Sequence, residues 1–175
     1  MNPGLIQNTY WVVPGRILAG EYPASGKDEI SRERIRWLLA SGVNSFLDLT
    51  QDGEYGLRSY VDLLQGVQDR EIQISYQRYP VPDMQVPTAD EMIRILDHIE
   101  NEIGNGRTIY LHCYGGRGRT GTVVGCFLVR NGMDGECALA QITRLRSELQ
   151  VPEGRLESPE TYEQRQMVLS WSPGQ

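Results

Sequence analysis

The chain has 175 residues, 39% of them hydrophobic, with a formal net charge of −6. That is enough apolar material for one domain with a sizeable core over residues 1–175, and too little for two. The acidic balance argues against nucleic acid or an anionic membrane as partner, since either needs a broad basic surface. No apolar run approaches the ~20 residues of a spanning helix, and no leader pattern is read at the start.

Two short strands are predicted at 11–13 and 16–18, split by Pro14-Gly15. A helical pattern over 28–40 turns Ile35, Leu38 and Leu39 inward and stops at Ser41-Gly42; Val43 to Leu49 follows as a central strand. After a polar turn at 51–53, Leu57, Val61 and Leu64 recur at helical spacing until Gly66, and 72–79 alternates as a strand. Thr88 and Glu91 make a capping box for a helix whose Met92, Ile95, Ile99 and Ile103 share a face, closed by Gly104-Asn-Gly106. Residues 107–112 form the next strand, and 119–131 an apolar helix placed beneath the sheet. Helices at 134–149 and 159–171, the latter with Ser158 as cap and Pro159 at its first position, are expected to cover the other side. The alternation predicts an α/β three-layer sandwich, its central mostly parallel sheet flanked by helices and its site at the carboxyl ends of the strands.

Residues 112–121 read His-Cys-Tyr-Gly-Gly-Arg-Gly-Arg-Thr-Gly, between an apolar strand and an apolar helix. Glycines at 115, 116 and 118 let the backbone turn N–H groups inward, and the helix start adds donors without intrahelical partners. Such a loop suits a dianion. Cys113 beneath those donors, with Arg117 and Arg119 nearby, favours thiolate over thiol, the nucleophilic form. Arg119 offers a planar fork for two phosphate oxygens. Tyr114, Gly115, Gly116, Arg117, Gly118 and Arg119 are therefore the candidate phosphate cradle. A plain strand-to-helix turn would need neither the thiol nor two arginines.

This segment resembles the HCxxGxxRT/S signature of the cysteine-dependent protein tyrosine and dual-specificity phosphatases, and its Cys-Tyr-Gly-Gly-x-Gly-Arg form is most similar to the cyclin-dependent kinase inhibitor 3-like branch. The resemblance implies a phosphotyrosine protein phosphatase-like fold, a cysteinyl-phosphate intermediate, and an aspartate that serves first as general acid and then as general base. Asp83, in the proline-punctuated Tyr79-Pro-Val-Pro-Asp83-Met-Gln-Val-Pro-Thr88, resembles the family's short acid loop; Asp48, Asp90, Glu91 and Asp97 fall in a strand or helical pattern instead. By the same resemblance Thr120 donates its hydroxyl to the sulfur as phosphate leaves, His112 orders the loop, and Gln164 positions the hydrolytic water. The rival readings are a helix-start hydroxyl, a buried structural histidine and an ordinary surface glutamine.

The implied partner is a phosphorylated protein, with phosphotyrosine first and phosphoserine or phosphothreonine beside it, and phosphate, vanadate or sulfate-type oxyanions in the loop. No long tyrosine-selecting insert is read, which points to a shallow dual-specificity cleft. Alternatives stay open: a phosphoinositide or other small-molecule phosphatase, less favoured because Tyr114 and Arg117 stand where such relatives carry lysines; a non-catalytic phosphoprotein-binding module; and, more weakly, a sulfur-transfer or arsenate-reducing enzyme. No metal or other cofactor is called for, since the cysteine supplies the nucleophile and the loop the positive field.

Three cysteines without paired short spacing suggest a reducing compartment and no disulfide or zinc framework. Cys126 and Cys137 are read as small buried hydrophobes on helical faces, with a role as resolving partner for oxidised Cys113 as the alternative. A cytoplasmic monomer is the expectation.

Overall fold

Side-chain alternation along the strands decides which helices lie on which face. The structure, a computed structural model, describes residues 6–67 and 73–174. Five strands, β1 (Thr9–Val13), β2 (Ile17–Gly20), β3 (Ser45–Asp48), β4 (Ser75–Arg78) and β5 (Ile109–His112), form one sheet in the order β1-β2-β5-β3-β4. The β1–β2 hairpin is antiparallel, and every other pairing is parallel. In register, Leu18 and Phe46 flank Tyr110, while Ala19 and Leu47 flank Leu111 one residue on. Successive residues point to opposite faces, so the two rows feed two separate cores. Leu18, Phe46 and Tyr110 pack with Ile35 and Leu38 of α1 (Asp28–Ala40) and Leu64 of α2 (Val61–Val67). Ala19, Leu47 and Leu111 pack with α3 (Ala89–Gly104), α4 (Gly118–Arg130), α5 (Gly135–Arg146) and α6 (Tyr162–Ser170).

That distribution bears out the mostly parallel sandwich but corrects one expectation. Helices α5 and α6 do not cover the face opposite α4. They pack on α4 itself, and α1 and α2 cover the opposite face. The reason is that α4 is buried almost all round, from Gly118 to Val129, and a helix apolar on every side needs neighbours beyond the sheet.

Two element boundaries also differ. Helix α6 is capped by Thr161, whose hydroxyl accepts from Gln164 N while the Gln164 side chain accepts from Thr161 N; Ser158 instead donates its hydroxyl to Arg117 O. The helix expected through Leu57 begins only at Val61, because Glu54–Gly56 forms a separate 3-10 turn. The Thr88–Glu91 capping box is present as expected, and β4 falls within the strand predicted at 72–79, whose start at Ile72 lies outside the described residues. Cys126 is buried, where desolvation pushes its thiol up, whereas Cys137 is exposed beside the α5 cap rather than in the core. No helix among the described residues is long and apolar enough to cross a membrane.

Candidate active site

All four parallel strands end at one edge, and the candidate residues converge there. Strand β5 delivers His112 and Cys113, α4 begins at Gly118, and the chain after β4 carries Asp83. The loop between β5 and α4 has its carbonyls tied one after another by donors from elsewhere in the chain. Tyr22 N donates to Tyr114 O at 3.0 Å, Asn8 Nδ2 to Gly115 O, Arg146 Nη1 to Gly116 O at 3.0 Å, and Ser158 Oγ to Arg117 O at 2.7 Å. In a trans peptide the carbonyl and the next N–H point to opposite sides, so carbonyls held in this way leave the N–H groups on the other side of the loop, the arrangement from which a nest of amides is built. Gly116, at φ +66°, lies so close to the Gly20–Glu21 backbone that a Cβ there would come within 2.4 Å of Gly20 C. Only glycine fits both the conformation and the approach.

Arg146 is the strongest of these ties. Fully buried, it also donates from Nε to Leu156 O at 3.0 Å and from Nη2 to Arg155 O at 2.7 Å, and its guanidinium lies 5.4 Å from the Tyr10 ring centre. It therefore joins the loop to the segment after α5.

Arg119 is 2% exposed and presents its terminal edge to Glu54 in a two-point ion pair, Nη1 to Oε2 at 2.7 Å and Nη2 to Oε1 at 2.6 Å. Nη1 also donates to Val81 O at 2.9 Å. Burial works most strongly against the guanidinium charge, but Glu54, Cys113 and Asp83 together outweigh it and hold the pKa above its usual value. Nε makes no hydrogen bond. The expected fork is thus largely occupied: Glu54 and Asp83 take the two terminal nitrogens, and Nε is the donor left without a partner.

Asp83 lies against the same arginine, Oδ1 at 2.9 Å from Nη2, and its Oδ2 accepts from Tyr55 Oη at 2.7 Å. The Tyr55 hydroxyl has a raised pKa because ionising it would destroy that bond and set two negative charges together. Asp83, Cys113, Tyr114, Gly115, Arg117 and Gly118 border one cavity of about 270 Å³, together with Asn8, Tyr55, Met84, Arg155 and Glu160. A larger groove of about 620 Å³ between β1 and α5, lined by Thr9, Trp11, Arg144 and Glu148, holds none of these groups.

The remaining candidates are placed as follows. His112 is fully buried, with Nε2 2.6 Å from Tyr60 Oη and Nδ1 3.3 Å from Cys113 O; burial pushes its pKa below the ordinary value against the pull of Asp48, so the ring is held neutral beneath the loop. Thr120 is buried and its hydroxyl makes no hydrogen bond. Gln164 is buried, not at a helix surface: its amide would lie within 3.0 Å of a Cβ at Gly118, and Nε2 donates to Gln85 O of the acid loop at 3.2 Å. Arg117, expected in the cradle, spends its guanidinium on Glu160 and on Gly154 O at 2.7 Å. It contributes backbone rather than a free cation.

Sequence reasoning missed Glu54, Tyr55, Asn8 and Arg146. For Glu54 and Tyr55 a signal existed: glycines at 53 and 56, both with positive φ, frame a turn that displays the two residues between them. Nothing local marks Asn8 or Arg146, whose partners lie 107 and 30 residues away.

Residues 6–167 match the family described as Swiss Army Knife protein, DSP-PTPase phosphatase domain. The viral tyrosine phosphatase homologue 067L of Invertebrate iridescent virus 3 is 31% identical over 120 residues, 66% of this chain and 43% of the relative. The triple specificity protein phosphatase PtpB of Mycobacterium tuberculosis is 31% identical over 118 residues, 67% and 40% of the two chains. The chain thus spans less than half the length of these curated relatives. Among solved structures, kinase associated phosphatase superposes with a TM-score of 0.75 at 19% identity, covering 95% of this chain and 94% of that one. Tk-PTP in the active form gives 0.71 at 24%, covering 96% and 95%.

Proposed function

The chain belongs to the DSP-PTPase phosphatase family, and from that premise we propose that it hydrolyses phosphate monoesters on proteins through a phosphorylated Cys113. The observation that carries the proposal is the juxtaposition at the end of β5: a buried cysteine under a loop whose carbonyls at 114–117 are each bonded from another segment, beside a buried arginine whose Nε has no hydrogen-bond partner. Donors aimed at the place where negative charge develops need no reorganisation during the reaction.

In the first step the Cys113 thiolate attacks phosphorus, the ester P–O bond breaks, and Asp83 gives its proton to the departing oxygen. In the second, Asp83 takes a proton from water, the water oxygen bonds to phosphorus, the P–S bond breaks, and inorganic phosphate leaves with the thiolate restored. Arg119 donates to a non-bridging oxygen from Nε through both steps while Glu54 fixes its terminal nitrogens. Thr120, whose hydroxyl is otherwise unbonded, donates to the sulfur as the P–S bond breaks. Gln164, wedged between Gly118 and the acid loop, places the water. His112 holds the Cys113 carbonyl and does not exchange protons with substrate.

Rapid acid quench of a phosphopeptide reaction followed by mass spectrometry should trap phosphate on the Cys113 peptide, and Cys113→Ser should abolish release. Turnover surviving in Cys113→Ser would discard the covalent route. Tight phosphopeptide binding by the wild-type protein without any release would favour a binding module instead.

A further inference from the structure

Arg119 and Arg146 are the two buried arginines among the described residues, and their charges are met differently. Arg119 faces the carboxylates of Glu54 and Asp83, whereas among the described residues no carboxylate forms an ion pair with Arg146. The donors of Arg146 go to the carbonyls of Gly116, Arg155 and Leu156, which satisfy its hydrogens but bring no net charge. The Tyr10 ring against it is no anion either, because burial pushes that hydroxyl up to about 12. A buried ion without a counter-charge is costly, and a guanidinium does not escape the cost by losing its proton. Holding the loop does not call for such a charge. The carbonyls on either side of Gly116, those of Gly115 and Arg117, are held by the neutral side chains of Asn8 and Ser158. The nearby group able to carry negative charge is Cys113, whose anionic form attracts this guanidinium.

We propose that Arg146 is a second cation of the phosphate site, held behind the loop, whose unpaired charge stabilises the Cys113 thiolate and the bound oxyanion. Resting on the phosphatase reading, this assigns to that site a positioning residue from outside the 112–121 motif. Its effect travels by two routes. Gly116 O and the Arg117 N–H belong to one peptide and point to opposite sides, so a cation on the carbonyl makes that N–H a stronger donor on the other side of the loop. The charge also acts directly, through an interior where neither water nor salt screens it as at the surface. Neither route requires Arg146 to touch the substrate. The counter-charge that the fold withholds from Arg146 is the one that thiolate and phosphate supply.

Two variants separate charge from shape: Arg146→Lys keeps the charge and breaks the three-carbonyl fork, while Arg146→Gln loses the charge and keeps a donor for Gly116 O. Two quantities are measured at low salt. One is the vanadate Kd from calorimetry. The other is the ratio of Cys113 alkylation rates by anionic iodoacetate and neutral iodoacetamide, followed by mass spectrometry of the Cys113 peptide. Arg146→Gln should weaken vanadate by about 10-fold or more and lower the alkylation ratio by about 3–10-fold, the effect of one charge across a partly screened interior. Arg146→Lys should stay within about 3-fold of wild type in both. Equal losses in the two variants, a larger loss in Arg146→Lys, or wild-type behaviour in Arg146→Gln overturns the proposal. If Arg146→Gln does not fold, Arg146→Lys decides alone: values within about 3-fold of wild type support the charge, and a larger loss overturns it. Phosphopeptide hydrolysis by wild type tests the phosphatase reading separately. If no phosphate is released, that reading fails, and the alkylation ratio, which needs neither turnover nor a bound anion, still judges Arg146.

Discussion

Four successive carbonyls of the 114–117 loop are each held by a donor from a different segment, whereas the facing wall of the cleft is a chain of side chains, Glu54, Tyr55 and Asp83, that bond Arg119 and one another. The floor draws its shape from backbone and buried donors, so a change there disturbs the fold. The wall draws its shape from side-chain contacts: Tyr55 and Asp83 meet at the exposed rim, where a change should alter chemistry with little effect on folding, whereas Glu54 pairs the buried charge of Arg119. In the proposed mechanism the difference separates two jobs, with the floor binding the phosphate and the wall delivering the proton.

The comparison is most sharply tested at Asp83. Asp83→Asn should lower kcat by roughly 10²–10⁴-fold on esters with poor leaving groups and far less on activated aryl phosphates, the usual contribution of a general acid. Its thermal midpoint should stay near that of wild type. Equal loss on both kinds of ester would remove Asp83 from the acid's role.

Gly116→Ala should do the reverse. Its Cβ would collide with backbone at Gly20 and Glu21 at φ +66°, where neither partner is a flexible side chain, so a loss of about 2–4 kcal/mol in urea unfolding is expected, with weakened vanadate binding. Gly118→Ala, which meets the end of Gln164 instead, should cost less. If the two variants were equally stable, the view of the floor as over-determined would break.

A smaller effect is expected from Tyr55→Phe. Losing one hydrogen bond to a carboxylate should slow turnover of poor leaving groups by about 3–10-fold and leave activated esters nearly unaffected, read from the two kcat values side by side. A uniform loss would mean that Tyr55 shapes the floor rather than the acid.

The smallest effect concerns pH. Burial holds His112 below its ordinary value of 6.5 in the folded chain, so on acidification the unfolded chain takes up a proton that the folded chain refuses. Stability present above about pH 6.5 is therefore lost progressively below it. The urea midpoint should fall between about pH 7.5 and pH 5.5, and fall less in His112→Gln. Equal slopes would assign the acid sensitivity to other groups.

Motifs with a strong local signal are legible in the residue order alone. The Thr88–Glu91 box, the apolar stripe of α3, and the Cys113–Thr120 loop between strand and helix each state their geometry within a few residues. The side on which α5 and α6 lie is not legible, because an amphipathic helix announces that it has a buried face and not which surface buries it. Ser158 illustrates the same limit: a serine before Pro159 has the pattern of a cap, yet its hydroxyl serves Arg117 O because the chain brings that carbonyl within 2.7 Å.

The amino-acid order by itself determined the loop that holds Cys113 and Arg119, the glycines that let it curl, and the proline-stiffened segment that carries Asp83, since these depend on bonds and torsions between near neighbours. Only the tertiary structure decided which donors hold the loop carbonyls, that Nε is the nitrogen of Arg119 left without a partner, and that Tyr55 bonds Asp83 at the cavity mouth. Those features come from contacts such as Arg146 to Gly116 and Glu54 to Arg119, 30 and 65 residues apart. Contacts over such distances exist only after two faces of the sheet have been packed, and no local propensity encodes them.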